Sequence, residues 1–437
     1  MEPFWLGILG VVLLLALLAL SVHVVVALGL VGFIGLALLT GFDSALAVLG
    51  NTMLYKTYNL QFVVIPLFVL MGTLASVGEV SRDTYSALSL WLNRVRGGLG
   101  MATVFGCTAF GTVCGSSMVT ASVFAKVAVP QMRLYGYDKK LSYGLVSAAG
   151  NIGMLIPPSV LIMFYAMMAN ESPGSLLIAG ISPGLLLLVT FCIGIWVIGR
   201  IKPALVGADH ALPEVTWRQR ITGIRLLAPL IVVASIVIAG VFTGFLSLTE
   251  ASGGGAVVLF LYVVIFKRAF KNIGIALLDA TSMTAMLLFI FISAGVFSKF
   301  LTMAGVTSVA VDWLLGLELS HTGLVIMISV IYLVMGCFLD GISMIAVTIP
   351  LVYPAVKLLG IDPIWFAMSA ILAIHIGTIT PPVGLNVYAV KGVAEADVGI
   401  EDIFAGVLPW FLLSLVALAF IIAFPILSTI LPSMMVK

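Results

Sequence analysis

Charge is what this chain has least of: Asp, Glu, Lys and Arg make up 9% of its 437 residues, against about 25% in a soluble globular domain. That shortage excludes a water-solvated design, and a hydrophobic content of 62% points to the bilayer as solvent. Cysteine is scarce too. Cys107, Cys114, Cys192 and Cys337 fall inside apolar segments without metal-ligand spacing, so they read as reduced thiols packed like small apolar residues. No long polar stretch could fold as an ATPase or a substrate-binding domain, so energy and substrate capture must come from ion gradients or other chains. No HExxH, P-loop or nucleophile elbow occurs, nor any His, Cys or carboxylate cluster spaced for a metal. An intramembrane protease or lipid-modifying enzyme would need a nucleophile–base or acid pair, which the few intramembrane ionisable groups do not supply.

What the chain has instead is a succession of apolar runs, each long enough to cross about 30 Å of hydrocarbon. Runs and breakers place spans near 4–21, 23–40, 60–78, 139–170, 175–200, 224–244, 250–267, 280–303, 363–392 and 403–431. The stretch Phe4 to Leu20 lacks a basic n-region and a small-residue cleavage site, so it reads as a retained span. Two further segments, about 97–134 and about 320–357, are too long for one crossing. Each is interrupted near its middle, by Gly111-Thr112-Val113-Cys114-Gly115-Ser116-Ser117 and by Gly336-Cys337-Phe338-Leu339-Asp340-Gly341. Halving them gives helices of roughly 25 Å, marginal for a crossing. Two re-entrant hairpins are the better reading, because irregular backbone at membrane depth is tolerated where it lines a protein cavity.

An internal repeat organises these elements. Pro130, Gly136, Asp138, Pro157 and Pro158 recur 224 positions later as Pro354, Gly360, Asp362, Pro381 and Pro382. Ala179-Gly180 and Pro183 are answered by Ala405-Gly406 and Pro409 at an offset of 226. An odd number of crossings separates the span at 60–78 from its counterpart at 280–303, so the second copy is expected upside down. The expectation is an all-α polytopic membrane protein of about ten transmembrane helices and two re-entrant hairpins. Its first inverted repeat covers 1–218 and its second 219–437, each with an amphipathic connector (81–96 and 304–319). Arg82, Arg94, Arg96, Arg133, Lys139, Lys140, Arg200, Lys202, Arg218, Arg220, Arg225, Lys267, Arg268, Lys271 and Lys391 then share one side. Lys56, Lys299, Lys357 and Lys437 lie on the other, with Lys126 snorkelling from the first hairpin. The richer side is cytoplasmic by the positive-inside rule, which puts both termini outside.

The spans after the hairpins each break near mid-membrane, at 150–158 and 377–384. A Pro-Pro pair removes amide donors and frees carbonyls that need partners. Freed carbonyls and hydroxyls suit Na⁺, while half-helix N-termini suit the anionic group of a substrate. A Na⁺ site at the second tip would draw on Gly336, Asp340, Gly341, Gly377 and Thr380, and its counterpart on Gly115, Ser116, Ser117, Asn151 and Gly153. Candidate substrate contacts are Ser117, Asn151, Pro157, Ser343, Pro381 and Asn386. Asp340 is the one carboxylate near either tip in sequence; it is both an intramembrane acid and a natural cap for the helix that follows. Ser116 holds the same repeat position. His375 reads as a hydrogen-bonded packing residue, and the apolar surroundings of Glu250 suggest an interface position.

At these motifs the chain resembles the large membrane subunit of tripartite ATP-independent periplasmic (TRAP) transporters. The likeness is carried by Gly115-Ser116-Ser117, Pro130-x-Met132-x3-Gly136-Tyr137, Ile156-Pro157-Pro158-Ser159, Ala179-Gly180-Ile181-Ser182-Pro183-Gly184 and Phe338-Leu339-Asp340. It continues in Leu359-Gly360-Ile361-Asp362-Pro363 and Thr380-Pro381-Pro382-Val383-Gly384-Leu385-Asn386. Thr249-Glu250-Ala251 also fits, although Leu248 stands where the family often has proline. The resemblance implies a bacterial inner-membrane permease working as an elevator, with a hairpin-bearing transport domain sliding against a scaffold. It also implies Na⁺ coupling, a small membrane partner subunit, and a periplasmic binding protein delivering an organic acid such as a C4-dicarboxylate or sialic acid. No nucleic-acid partner is expected. The alternative is a self-sufficient Na⁺-coupled carboxylate transporter that needs no binding protein.

Overall fold

A computed structural model describes residues 2–207 and 215–435; Lys437 lies outside the described residues. Among those described, the chain is helical, with a single isolated bridge between Tyr137 and Val206. Seven helices are long and apolar enough to cross a membrane: Leu60–Val77, Pro173–Ile201, Trp217–Phe242, Leu248–Phe266, Phe270–Met303, Gly341–Leu358 and Ile400–Ala423. Shorter apolar helices complete the set, including Pro3–Ala19 and Val24–Thr40. The amphipathic connectors form helices Val80–Leu92 and Val306–Gly316.

The segment near 97–134 folds as helix Gly98–Cys114, a turn at Gly115–Ser116, and helix Ser117–Val127 continuing into Val129–Leu134. Gly115 takes φ +66°, a left-handed conformation that glycine adopts without a Cβ penalty. The second long segment folds as His321–Gly336 and Gly341–Leu358 around Cys337–Asp340. Each hairpin leads into an interrupted helix with an aspartate cap. Asp138 accepts from Leu141 N at 2.9 Å, and Asp362 from Ile364 N and Trp365 N, both at 2.9 Å. The first helix stops at Ala149, passes a short turn at Ile152–Met154 and resumes over Val160–Ala169. The second stops at Gly377 and resumes over Leu385–Lys391. Pro157–Pro158 and Pro381–Pro382, both cis, lie in the two gaps.

Hairpin and interrupted helix meet at glycines in both halves. A Cβ built on Gly153 would lie 2.5 Å from Gly111 Cα, and one on Gly336 would lie 2.6 Å from Gly377 Cα. Only a residue without a side chain lets two helix backbones approach so closely.

Two stretches differ from the sequence expectation. Phe42–Thr57 forms a helix that hydropathy alone does not announce. It ends where Asn59 caps Gln61 N at 2.9 Å, with Pro66 three residues into the helix Val64–Val77. In the second half the helix Phe270–Met303 runs unbroken for 34 residues, starting ten residues before position 280. It contains no proline and spans roughly 50 Å, longer than the hydrocarbon is thick.

The helices sort into two groups by what they pack on. Val24–Thr40 lies along Phe270–Met303, with Gly32 against the backbone of Phe297 and Gly35 against the Phe300 ring. Leu60–Val77, Trp217–Phe242 and Leu248–Phe266 join this group, tied to the first connector by Lys267–Asp83 at 2.5 Å and Tyr262 Oη to Asp83 at 2.8 Å. The second group holds the hairpins, the interrupted helices, Pro173–Ile201 and Ile400–Ala423. It is stitched across the halves by Lys139–Asp397 at 2.8 Å, Lys140–Asp402 at 3.1 Å and Lys357–Glu171 at 3.1 Å. Hydrogen bonding to Lys139 holds the Asp397 carboxyl below the usual carboxylate range.

Candidate functional site

Between the two groups lies a cavity of about 800 Å³. Both hairpin tips line it, Gly115 to Val119 on one side and Phe338 to Ser343 on the other. The interrupted helices contribute Met154, Ile374, His375, Thr378 and Asn386. The first group supplies the facing wall, with Val69, Gly72, Thr73, Ser76 and Val77 from one helix and Asp279, Ser282, Met283, Met286, Leu287 and Ile290 from the long helix. Gly72 brings that wall into direct contact with a hairpin, since a Cβ there would sit 2.5 Å from Cys114 O.

The polar centre is a chain of side-chain amides. Asn386 Nδ2 donates to Asn151 Oδ1 at 2.9 Å and to Ser147 O at 3.3 Å, and Ser117 Oγ donates to Asn386 Oδ1 at 3.0 Å. Asn151 Nδ2 donates to His375 O at 2.7 Å, and Thr378 Oγ1 to the same carbonyl at 2.8 Å and to Asn151 Oδ1 at 3.3 Å. Asn151 and His375 are separated by 224 positions, the offset of the repeat. Residues at the same position of the sequence repeat therefore touch at the centre.

The second tip carries the charge. Asp340 caps its helix, accepting from Ile342 N at 3.1 Å and Ser343 N at 3.2 Å, and the Ser343 hydroxyl also donates to it. Ser116 plays the same part more weakly, accepting from Val119 N at 3.4 Å. Hydroxyls that donate their proton inward keep lone pairs free; Ser117, Ser343 and Thr380, which donates to Ile376 O at 2.7 Å, are all of this kind. Among the described residues no group of three or more His, Cys, Asp or Glu could hold a metal. The oxygens that the cavity offers are carbonyls, hydroxyls and the carboxylates of Asp340 and Asp279.

The sequence candidates differ in where they lie. Gly115, Ser116, Ser117, Asp340, Gly341, Ser343 and Asn386 line the cavity. Asn151 stands one hydrogen bond behind it. Gly153, Gly336 and Gly377 form the close helix crossings, Pro157 is buried, and Pro381 is exposed. Two readings change, and Glu250 gains a local role. His375 is buried and lines the cavity, and among the described residues its Nε2 has no hydrogen-bond partner, so the side-chain bond expected of it is missing at that nitrogen. Glu250 closes a capping box with Ser247, bonding its amide at 2.8 Å and its hydroxyl at 2.7 Å, which accounts for an acid in apolar surroundings. Asp279 is a second carboxylate on the cavity wall; a span taken to begin at 280 hides it.

Paired hairpin tips and interrupted helices around a polar-centred cavity, in an all-helical membrane body, define a secondary transporter rather than an enzyme. The sequence model for "Tripartite ATP-independent periplasmic transporter, DctM component" matches residues 11–427, and the chain belongs to that family of large permease subunits. It is 30% identical to the C4-dicarboxylate TRAP transporter large permease protein DctM of Pseudomonas aeruginosa, over 84% of this chain and 85% of that one. It is 26% identical to the sialic acid permease SiaM of Vibrio cholerae, over 86% and 87%. With the ectoine permease TeaC of Halomonas elongata the identity is 27%, over 94% and 95%. Among solved structures the fold is similar to the Alcanivorax borkumensis YdaH transporter, with a TM-score of 0.56 and 17% identity over 97% and 98% of the chains. The Neisseria gonorrhoeae MtrF efflux pump gives a TM-score of 0.58 at 15% identity, over 89% and 85%. The family is that of an integral inner-membrane protein whose transporter also comprises a small membrane subunit and a periplasmic binding protein.

Proposed function

We propose that this chain imports an organic acid, delivered by a periplasmic binding protein, down a Na⁺ gradient by an elevator movement. The observation that supports this most is the convergence of both hairpin tips and both interrupted helices on one cavity of about 800 Å³. In this reading residues 1–218 and 219–437 are inverted repeats, and both termini are periplasmic. The second helix group is the moving transport domain, held as one body by its cross-repeat ion pairs. The first group is the scaffold, whose cavity wall is built at Gly72 to Val77 and at Asp279 to Ile290.

Two Na⁺ sites would flank the cavity, one from the oxygens of Gly336, Asp340, Gly341, Gly377 and Thr380, the other from Gly115, Ser116, Ser117, Asn151 and Gly153. The substrate carboxylate would lie at the hairpin helix N-termini, against Ser117, Ser343 and Asn386, with Asn151 holding Asn386 from behind and Pro157 and Pro381 acting through the helix breaks they make. Relatives named for C4-dicarboxylates and sialic acid support an acid as the cargo class.

Proteoliposomes carrying the chain with its small subunit and binding protein test the proposal, with succinate and sialic acid as probes. Uptake should require both partners and an inward Na⁺ gradient. Equal uptake under a K⁺ gradient would remove Na⁺ from the mechanism. Robust uptake by the chain alone would favour the self-sufficient alternative.

A further inference from the structure

Away from the transport cavity, a second hollow of about 260 Å³ opens on the outer face of the molecule. It lies between Gly98–Cys114 of the first hairpin and the helix Ile181–Ile201, and is lined by Met101, Phe105, Leu188, Cys192, Ile193 and Trp196, among others. The lining is apolar, and Ile193 and Trp196 are about half exposed although they flank a buried, close-packed seam. At the seam, Ile195 packs on Gly97 and Gly100. Such a furrow on a lipid-facing surface is filled by something chain-shaped and apolar.

In the orientation proposed above, its cytoplasmic end is cationic. Arg200 stacks on the Trp196 ring at 5.2 Å. Arg96 lies across the helix junction, its Cγ 3.7 Å from where a Cβ on Gly199 would be. Both arginines are exposed, and among the described residues neither forms an ion pair with an acid. From Leu188 to Arg200 the helix rises about 18 Å, close to the depth of one leaflet's hydrocarbon. The apolar lining runs about 12 Å along that helix, from Leu188 to Trp196, and two unpaired guanidiniums lie one turn beyond it, on the side where basic residues are concentrated.

We propose that this furrow binds an anionic glycerophospholipid of the cytoplasmic leaflet, with its phosphate on Arg96 and Arg200 and one acyl chain along Phe105, Leu188 and Ile193. Arginine suits this role because its planar fork grips phosphate oxygens in pairs. A free phosphate ester would satisfy the arginines but leave the furrow empty. A zwitterionic lipid would fill the furrow but place a positive choline beside the guanidiniums.

Native mass spectrometry of the purified chain, titrated with dioleoylphosphatidylglycerol or dioleoylphosphatidylcholine, decides between these. The wild type should hold one phosphatidylglycerol more firmly than phosphatidylcholine. Each basic residue near the surface strengthens anionic binding several-fold, so Arg96→Gln with Arg200→Gln should weaken it roughly 30-fold. Cys192→Trp, which fills the furrow and leaves the charges, should weaken it as well. Lys271→Gln, an exposed cation on the long scaffold helix, should not. Soluble sn-glycerol 1-phosphate in excess should fail to displace the lipid. Equal retention of the two lipids, a loss with Lys271→Gln matching that of the double variant, an unaffected Cys192→Trp, or displacement by glycerol phosphate would each overturn the assignment.

Discussion

At the scale of single residues, Asp340 separates two jobs that one carboxylate can do. Capping needs an oxygen near the amides of Ile342 and Ser343, which asparagine also supplies. Attracting a cation needs the charge. Asp340→Asn should lower the apparent Na⁺ affinity of uptake roughly 5- to 150-fold, the equivalent of about 1–3 kcal/mol for a charge-assisted contact, while thermal stability without Na⁺ changes little. A Na⁺ curve that coincides with wild type would leave Asp340 a helix cap and nothing more. Asn386 is a different case, because its amide is shared among three partners in a buried place. Asn386→Ala leaves the Ser117 hydroxyl without its acceptor and Asn151 Oδ1 with only the longer bond from Thr378, so unfolding in detergent should shift by about 2 kcal/mol and uptake should fall with it. An unchanged melting curve would show that water replaces the amide at no cost.

Where hairpin meets interrupted helix, the contact is glycine against glycine. Gly377→Ala would thrust a methyl to 2.7 Å from Gly336 Cα, forcing the second hairpin away from its interrupted helix. Overpacking of that kind costs about 1–3 kcal/mol or more, and transport should drop below a tenth of wild type. Gly316→Ala, where nothing lies within 4 Å, should leave both stability and uptake intact. Comparable activity in the two variants would argue that the crossing is loose. These elements were legible because their signals are local: a Gly-Ser or Gly-Asp break inside an overlong apolar run, and a Pro-Pro pair 224 positions from its twin. The helix Phe42–Thr57 was not, since its apolar face is diluted by Asp43, Asn51 and Lys56. The amide chain was still further from reach. Ser117, Asn151 and Asn386 could each be picked as intramembrane polar groups, but nothing in their spacing says that they bond to one another. Asp279 was lost to a boundary: helix propensity carried the long helix ten residues past the point where hydropathy falls.

For the whole molecule, the first question is orientation. With Cys192 replaced by serine, a membrane-impermeant thiol reagent added outside should label Lys357→Cys and spare Arg133→Cys. Reaction of both from one face would end the inverted-repeat reading. If the halves are inverted, the twofold axis through the Asn151–His375 contact has an energetic meaning. Rotation about it exchanges outside for inside, so a molecule with identical halves would rest equally in its outward and inward states when empty. The halves share paired caps and paired glycine crossings but differ at the tips: one offers Ser116, the other Asp340. A single carboxyl group lifts the degeneracy. The direction in which an idle carrier would wait is then set by where its two ends disagree, and at the tips they disagree by one carboxyl group.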